Sequence, residues 1–346
     1  MRPSRIATIF LAVPALLTSQ QIERVTLRGS EVAIYNVVGR LRVEGGSGDQ
    51  VVVEVTRGGR DASRLKLATD AVHGRSALRV IYPSDRIFYS EMGWSGRSSF
   101  SISDDGTFGD NEHGDRHRIE VSSRDNGLDA HADLHVIVPK GKVLFLRQGI
   151  GETTIENIEG KLNVEVSASR TRVSHIRGAL TLDTGSGGVE VTDVTGDLTL
   201  DSGSGGASLD GIRGGRIQMD VGSGSLRGRM IDVTEFRADV GSGGVRLSGV
   251  KTPILHLESG SGSTDVELLS PPDDVSIEAG SGGVTLRMPA ATSAALDVET
   301  GSGSIDTDFD VKLTKMERRA LRGTIGSGKG RIRIESGSGS VRLLRS

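Results

Sequence analysis

LTLDSGSGGASL, residues 198–209, decides the fold of this chain. Leu198 and Leu200 alternate with polar residues before the Gly-Ser-Gly tripeptide, and Ala207 and Leu209 alternate in the same way after it. Alternation with a period of two places every second side chain on one face of a β-strand. The stretch therefore predicts two short strands, each with one apolar face, joined by a glycine turn.

The same pattern recurs along the second half of the chain. Gly-Ser-Gly begins at residues 185, 203, 222, 241, 260, 280 and 301, in steps of 18 to 21 residues, and again at residues 326 and 337. A period near 20 is typical of stacked units that each contact only their neighbours. Because two strands cannot bury an apolar face alone, we predict an all-β solenoid (β-helix) whose coils lie about 4.8 Å apart. An antiparallel β-sandwich of hairpins is the alternative, since glycine turns also close hairpins.

The N-terminus resembles a secretory signal peptide. Arg2 and Arg5 precede the apolar run at 6–17, and a polar stretch follows. The run is too short to span a bilayer as a stable anchor. We therefore predict a signal peptide at 1–20 and an exported protein, periplasmic or extracellular, with no membrane span once the signal is removed.

The rest of the chain divides into two regions. Residues 21–140 form an N-terminal β-strand region, in which residues 84–127 lack periodicity and are interpreted as an irregular insertion. Residues 141–346 form the solenoid. The period fails near its end, where a basic stretch predicts a capping segment around 310–325, as a helical turn or a loop, because an open solenoid edge invites aggregation.

Composition excludes several classes of protein. The chain of 346 residues has no cysteine, which excludes disulfides and thiol catalysis. Aromatic residues make up 3%, too few for a surface that stacks on bases or sugars along its length. The net charge of −3 argues against a nucleic-acid partner.

Acidic residues form a second repeating feature. One acidic residue stands two positions before the first glycine of most repeats, and strand alternation directs this row of side chains outward. Carboxylates about 4.8 Å apart repel by roughly 1 kcal/mol per pair in water. A row of Ca²⁺ sites would offset that repulsion, since calcium takes oxygen ligands. Hydrogen bonds from backbone N–H groups of the glycine turns would also offset it, and this is the explanation that we favour. The row, two residues before the first glycine of each repeat, is Glu165, Asp183, Asp201, Asp220, Asp239, Glu258, Glu278, Glu299 and Glu335, with Glu44 in an earlier unit.

One short segment carries a possible metal-binding pattern. His131, Asp133 and His135 alternate and share one face of a predicted strand. Imidazole and carboxylate groups bind transition metals. Neighbours on one face of a strand lie about 6.8 Å apart, which is awkward for a single ion, so we favour an ordinary solvent-facing strand.

The insertion at 84–127 collects aromatic, acidic and histidine side chains. Such a loop on a rigid wall could bind a ligand. The alternative is a mobile acidic loop whose aromatic side chains fold back onto the solenoid. The residues are Phe88, Tyr89, Trp94, Asp104, Asp105, Phe100, Phe108, Asp110, Glu112, His113, Asp115 and His117.

Two segments outside the core repeat carry a family resemblance. Residues 130–134 read Ala-His-Ala-Asp-Leu and precede Val-Pro-Lys-Gly at 138–141. Residues 321–326 read Leu-Arg-Gly-Thr-Ile-Gly and precede Ile-Glu-Ser-Gly-Ser-Gly-Ser-Val at 334–341. With the Gly-Ser-Gly repeats, they make the chain similar, over about residues 125–346, to the bacterial β-strand-repeat proteins labelled as adhesins, the family DUF4097. The resemblance implies an exported β-solenoid.

Function is the least determined property of the sequence. No nucleophile–base arrangement is visible, and a serine that recurs in every coil is explained by the coil rather than by catalysis. We predict a non-catalytic exported scaffold, an adhesin or envelope interaction protein that binds a protein or polysaccharide of the cell envelope, and we name no catalytic, cofactor or metal residues. Two alternatives stay open: a carbohydrate-active lyase or hydrolase whose groups converge in a cleft, and a regulatory partner of an envelope signalling system.

Overall fold

The computed structural model describes residues 22–91, 96–109, 116–124 and 126–346. Within these ranges the chain forms 28 β-strands, one 3₁₀ turn at Ala62–Arg64 and no α-helix. Of these strands, 24 belong to a single hydrogen-bonded sheet and four to a second, smaller sheet. The all-β prediction is therefore confirmed. The predicted signal peptide at 1–20 lies outside the described residues.

The strands fall into three groups along the chain. The N-terminal group is β1 (Ile22–Leu27), β2 (Glu31–Gly46), β3 (Val51–Gly58), β4 (Lys66–Val72) and β5 (Arg75–Ile81). The insertion contains β6 (Arg86–Phe88), β7 (Arg97–Ser103) and β8 (Arg116–Ser122), and β9 (Leu128–Asp129) follows it directly. The last group is β10 (His131–Pro139), β11 (Lys142–Glu156), β12 (Gly160–Arg177), β13 (Leu180–Ser186), β14 (Val189–Ser202), β15 (Ala207–Asp210), β16 (Arg213–Val221), β17 (Leu226–Val240), β18 (Val245–Lys251), β19 (Ile254–Ser259), β20 (Thr264–Leu268), β21 (Asp274–Ala279), β22 (Val284–Met288), β23 (Ala294–Thr300), β24 (Ile305–Thr307), β25 (Val311–Glu317), β26 (Ala320–Ile325), β27 (Gly330–Ser336) and β28 (Val341–Arg345).

Strands of neighbouring coils pair in parallel, one period apart. Leu162 pairs with Leu180 between β12 and β13, and Leu180 pairs with Leu198 between β13 and β14. The same offset of one coil continues through β16, β17, β19 and β21. Parallel strands that repeat at a fixed offset make a solenoid, so the predicted fold is confirmed and the antiparallel sandwich of hairpins is wrong.

The Gly-Ser-Gly corner divides each coil into two faces. We call the strands before this corner the first face and the strands after it the second face. Side chains that point inward from both faces meet in one core, where burial stabilises the coil by about 25 cal/mol per Å² of apolar surface. The central first-face column of this core, at most 4% exposed, is Leu144, Leu162, Leu180, Leu198, Ile217, Phe236, Leu255, Val275, Ile332 and Leu296 in stacking order.

The glycines of the corner are required by the contact between coils. A Cβ atom on Gly205 would lie 1.6 Å from the carbonyl oxygen of Gly187, and one on Gly224 would lie 2.0 Å from that of Gly205. The corner N–H groups donate to the coil below, as Gly203 N does to Thr184 O at 2.9 Å. Glycine therefore recurs because successive backbones touch at this corner, which leaves no space for a side chain.

The solenoid begins earlier than residue 141. Strand β2 pairs in parallel with β11, for example Val32 with Leu144, so residues 31–46 form the first coil. Antiparallel strands cover this end: β4 pairs with β5 on the first face, and β1 and β3 extend β10 on the second. The region assigned to residues 21–140 thus contributes both the first coil and the strands that close the N-terminal end.

The insertion folds back onto the solenoid. Its strands form a small sheet in the order β7, β8, β6, β9. Tyr89 and Phe108 are buried, and the ring of Phe108 lies 5.3 Å from that of Phe100 and 6.0 Å from that of Tyr35 on β2. These aromatic side chains therefore hold the insertion in place. Residues Trp94, Asp110, Glu112, His113 and Asp115 lie outside the described residues.

Two features mark the C-terminal end. Strands β25 and β26 form an antiparallel hairpin on the edge of β23, so the helical turn or loop expected in the capping segment is wrong. Strand β25 lies at the exposed edge and carries Lys312 and Lys315, and charged lysines commonly protect such edges. The last coil, β27 and β28, lies out of chain order: β27 pairs with β21 on one side and with β23 on the other.

Candidate functional site

The acidic row predicted from the sequence is continuous in the structure. Nine carboxylates occupy the same outward position in nine successive coils of the first face. Glu335, from the C-terminal coil, stands between Glu278 and Glu299. In stacking order the row is Glu165, Asp183, Asp201, Asp220, Asp239, Glu258, Glu278, Glu335 and Glu299.

Glu44 does not belong to this row. It pairs with Glu156 on β11 and with Ile137 on β10, near the opposite corner of the first coil, while Tyr35 holds the position next to Arg147. The sequence suggested otherwise because Glu44 also stands two residues before a Gly-Ser-Gly tripeptide. In this coil the tripeptide follows the second face.

The glycine turns do not neutralise the row by the route that we favoured. Their N–H groups donate to carbonyl oxygens of the preceding coil, as Ser223 N does to Gly203 O at 3.0 Å and Gly241 N to Val221 O at 2.9 Å. The hydrogen-bond explanation is therefore wrong for these turns. Neither of these N–H groups is available to a carboxylate of the row.

Cations occupy both ends of the row. Arg147 lies 3.1 Å from Glu165 at the N-terminal end. At the other end Arg322 contacts Glu299 at 2.7 Å, and Arg333 pairs with Glu335. The first and last carboxylates are thus compensated by arginines from the same face.

The middle of the row is different. Among the described residues, no ion pair holds Asp220, Asp239 or Glu258, and all three are exposed. The nearest arginines of this face, Arg216 and Arg237, both bind Glu235 instead. The hydrogen bonds from Arg237 and then Arg216 lower the pKa of Glu235 below its ordinary value. Repulsion among the central carboxylates is therefore left to solvent and salt.

A groove follows the row along the first face. It consists of three adjoining open depressions of about 790, 690 and 210 Å³ that share Glu258. Ten carboxylates line these depressions against six arginine or lysine side chains, so the groove is anionic overall. Among the described residues that line it there is no phenylalanine, tyrosine or tryptophan.

Each end of the acidic row is bounded by a structure outside the regular repeat. At the C-terminal end the β25–β26 hairpin adds Lys315, Glu317 and Arg319 to the lining. At the N-terminal end the insertion covers Glu165, since a Cβ atom on Gly109 would lie 2.6 Å from its Oε2 atom. The exposed carboxylates between these two boundaries form a surface of limited length.

The three alternating residues of β10 serve separate contacts rather than one ion. The ring of His131 lies 5.3 Å from that of Tyr89, and Asp133 accepts a hydrogen bond from the backbone N–H of Arg40 at 2.8 Å. His135 lies between Glu44 and Glu54, at 2.9 and 3.2 Å. The hydrogen bond from His135 lowers the pKa of Glu44.

Metal binding has no geometric support in the described part of the chain. No group of three or more histidine, aspartate or glutamate side chains there converges in a way that could hold an ion. Calcium on the acidic row stays a prediction that a thermal shift with and without chelator would test.

One acidic side chain of the insertion binds the solenoid region, and two others form contacts within the insertion. Asp105 binds the buried guanidinium of Arg79 at 2.5 Å, and its pKa is lowered by hydrogen bonds from Thr107 and by Arg79, which outweigh its burial. His117 lies between Asp104 and Asp85, at 3.1 and 3.3 Å. These contacts give the described part of the insertion a structural role.

Neutralising the centre of the row is expected to stabilise the protein. The triple change Asp220→Asn, Asp239→Asn and Glu258→Gln removes repulsion from four adjacent pairs, each costing roughly 1 kcal/mol in water. The melting temperature should rise at about 0.01 M salt, and the gain should shrink at about 1 M, where the Debye length is about 3 Å. Thermal unfolding followed by circular dichroism measures both.

The opposite result would identify the row as a cation site. If bound calcium held the carboxylates, neutralisation would lower the melting temperature, and a chelator would lower that of the unchanged protein.

Comparison with known families agrees with this architecture. The family model described as Toastrack DUF4097 matches residues 126–344, more than half of the chain. The chain belongs to the DUF4097 family. The resemblance seen in the sequence is therefore confirmed, and the match begins at the end of the insertion.

Other comparisons add little to the DUF4097 assignment. A solved structure from Clostridium sporogenes ATCC 15579, described as "a putative cell adhesion protein", is 11% identical, covers 94% of this chain and 99% of its own, and has a TM-score of 0.22. No curated protein matches the chain. In the described residues of this DUF4097 protein, no helix has the length and apolar character needed to cross a membrane.

Proposed function

We propose that this DUF4097 protein is a non-catalytic, exported scaffold that binds a ligand of the cell envelope through the groove on its first face. The observation that carries this proposal is the groove itself, an anionic surface with exposed central carboxylates along an acidic row that is bounded at each end. A row that repels itself lowers stability, so its presence in nine successive coils favours a role in binding.

The repeat argues against catalysis. An active site needs a local departure from the regular coil, with groups of different roles held at one place. Here the same carboxylate recurs at every level, and corner serines such as Ser204 and Ser223 lie 3.4 Å from carbonyl oxygens of the coil below. These features are explained by building and stacking coils.

The lining favours a basic protein segment as the ligand. Sugar-binding surfaces usually present aromatic rings, and the described lining has none apart from the imidazole of His256. An excess of carboxylates over arginine and lysine attracts lysine- and arginine-rich segments and raises their rate of association. A polysaccharide of the envelope is the alternative ligand, and the binding experiment should distinguish it from a basic protein segment.

Binding to defined ligands tests the proposal. We expect the full chain to bind a lysine-rich peptide, with an affinity that falls as salt rises, and to bind neutral glycans at least about tenfold more weakly. The variant Asp220→Asn/Asp239→Asn/Glu258→Gln should lose about tenfold or more in affinity without any fall in its melting temperature. Isothermal titration calorimetry measures the affinities.

A matched variant controls for net charge. Asp49→Asn/Asp232→Asn/Asp273→Asn removes the same number of exposed carboxylates, none of which lines the groove. It should bind the peptide like the unchanged protein. Equal losses in both variants, or preferred binding of a glycan that the groove variant retains, would contradict the proposal. Hydrolysis or elimination of an envelope polysaccharide by the purified protein would restore the enzyme alternative.

A further inference from the structure

The C-terminal coil occupies a gap that the preceding chain leaves open. Residues 274–288 form one coil, and the chain then passes over one level before forming the next, residues 294–307. Strand β27 fills the gap on the first face, where Ile332 pairs with Val275 on one side and Leu296 on the other. Strand β28 fills it on the second face, between β22 and β24.

The inserted coil completes every column of the solenoid at this level. Ile332, Ile334, Val341 and Leu343 are fully buried. Glu335 completes the acidic row, and a Cβ atom on Gly339 of its corner would lie 2.1 Å from the carbonyl oxygen of Gly282. Without this coil, four strand edges and the apolar core between them would face an empty space about two coil spacings wide.

The two walls of the gap, residues 274–288 and residues 294–307, come from the chain before the C-terminal coil. Strands β21 to β24 and the hairpin all precede β27 in the sequence, so no part of either wall comes from the last coil. The hairpin is fixed to β23, one strand of the wall formed by residues 294–307, since Arg322 contacts Asp297 at 2.8 Å and Glu299 at 2.7 Å. The last 17 residues therefore lie, on each face, between two parallel strands that belong to earlier parts of the chain.

We propose that the gap between residues 274–288 and 294–307 is a strand-acceptor site, and that the partner it fits is residues 330–345 of a second copy of this chain. Every backbone and core contact of the inserted coil is available equally from its own chain or from another copy, so exchange costs little beyond association. The connection to β27 is an exposed turn at residues 326–329, with Gly326 and Gly328 in the left-handed region at φ +58° and +73°. This turn is the hinge at which the coil leaves one copy and enters another.

Subunit exchange in the full chain tests the proposal. Two differently tagged preparations are mixed, warmed to below the main unfolding transition, cooled, and captured through one tag while the other is detected. We expect mixed species whose fraction rises with protein concentration, and none when the proteins are mixed without warming. Their absence at every concentration and temperature below the main transition would overturn the proposal.

A disulfide shows whether the C-terminal coil is the exchanged segment. The chain has no cysteine, and Ser276 and Arg333 are direct partners on the outside of β21 and β27, at the Cα spacing that disulfides need. Oxidised Ser276→Cys/Arg333→Cys should exchange at least about tenfold less, and reduction should restore exchange. The control His256→Cys/Ser276→Cys joins β19 to β21 and leaves the last coil free, so it should exchange normally when oxidised. Equal exchange by the oxidised Ser276→Cys/Arg333→Cys protein would show that another segment moves.

Discussion

Replacing Gly205 with alanine is expected to lower the free energy of unfolding by about 3 kcal/mol or more. The new Cβ atom would lie 1.6 Å from the carbonyl oxygen of Gly187. Because this oxygen belongs to the backbone, the clash cannot be relieved by a change of side-chain rotamer. The two coils must separate, which weakens hydrogen bonds such as that from Ser204 N to Gly185 O. Denaturant unfolding followed by circular dichroism measures the loss.

Gly188 provides the matched control one coil earlier. It belongs to the same kind of corner, its φ is not in the left-handed region, and a Cβ atom there would come no closer than 4.0 Å to the nearest atom, the carbonyl oxygen of Gly206. Gly188→Ala should change stability by less than about 1 kcal/mol, and it should stabilise if the unfolded chain loses entropy. Similar losses in both variants would mean that glycine is required for turn conformation rather than for contact between coils.

Features that recur at the same position in every coil could be predicted from the sequence. Alternating apolar residues and a fixed corner determine strand, inward column and outward row, so the solenoid and the acidic row from Glu165 to Glu335 were predictable. These properties depend on positions within one period. Every coil repeats them, and each repeat confirms the others.

Properties that depend on which coils are neighbours were not predictable. The period is nearly the same for all coils, so nothing in Val275, Leu296 or Ile332 indicates that the last of them lies between the first two. The same limit misplaced Glu44, whose tripeptide follows the second face of the first coil. The broken period and the basic stretch predict a helical turn or a loop for the capping segment, whereas pairing with the edge of β23 makes it a hairpin.

The candidate site shows the same division. The carboxylates were visible in the sequence, but the arrangement of the arginines was not, because Arg216 reaches Glu235 from the neighbouring coil, a contact that only the stacking creates. The boundaries of the row come from the insertion and the hairpin, which have no period. The anionic row was thus predictable, and the structures that give it a limited length were not.

Ile334→Asp is expected to open the C-terminal third of the solenoid while the coils before it stay folded. Ile334 is fully buried between Ile277 and Val298, so aspartate there loses the apolar contacts and leaves a carboxyl group in the core without a partner. Together these effects should cost at least about 4 kcal/mol. Because each coil contacts only its neighbours, the loss should stay local. Hydrogen exchange read by mass spectrometry should show lost protection in residues 274–307 and retained protection in residues 160–240.

Arg342→Asp introduces the same side chain eight residues later on the outside of β28, where Arg342 is exposed. It should cost at most about 1 kcal/mol, mainly through proximity to Asp306 on β24. If Ile334→Asp instead removed protection from all coils together, the solenoid would fold as one cooperative unit. The C-terminal coil would then be one element of a single core. If protection is lost only near the gap, residues 330–345 are the separable part of the fold, as strand exchange between copies requires.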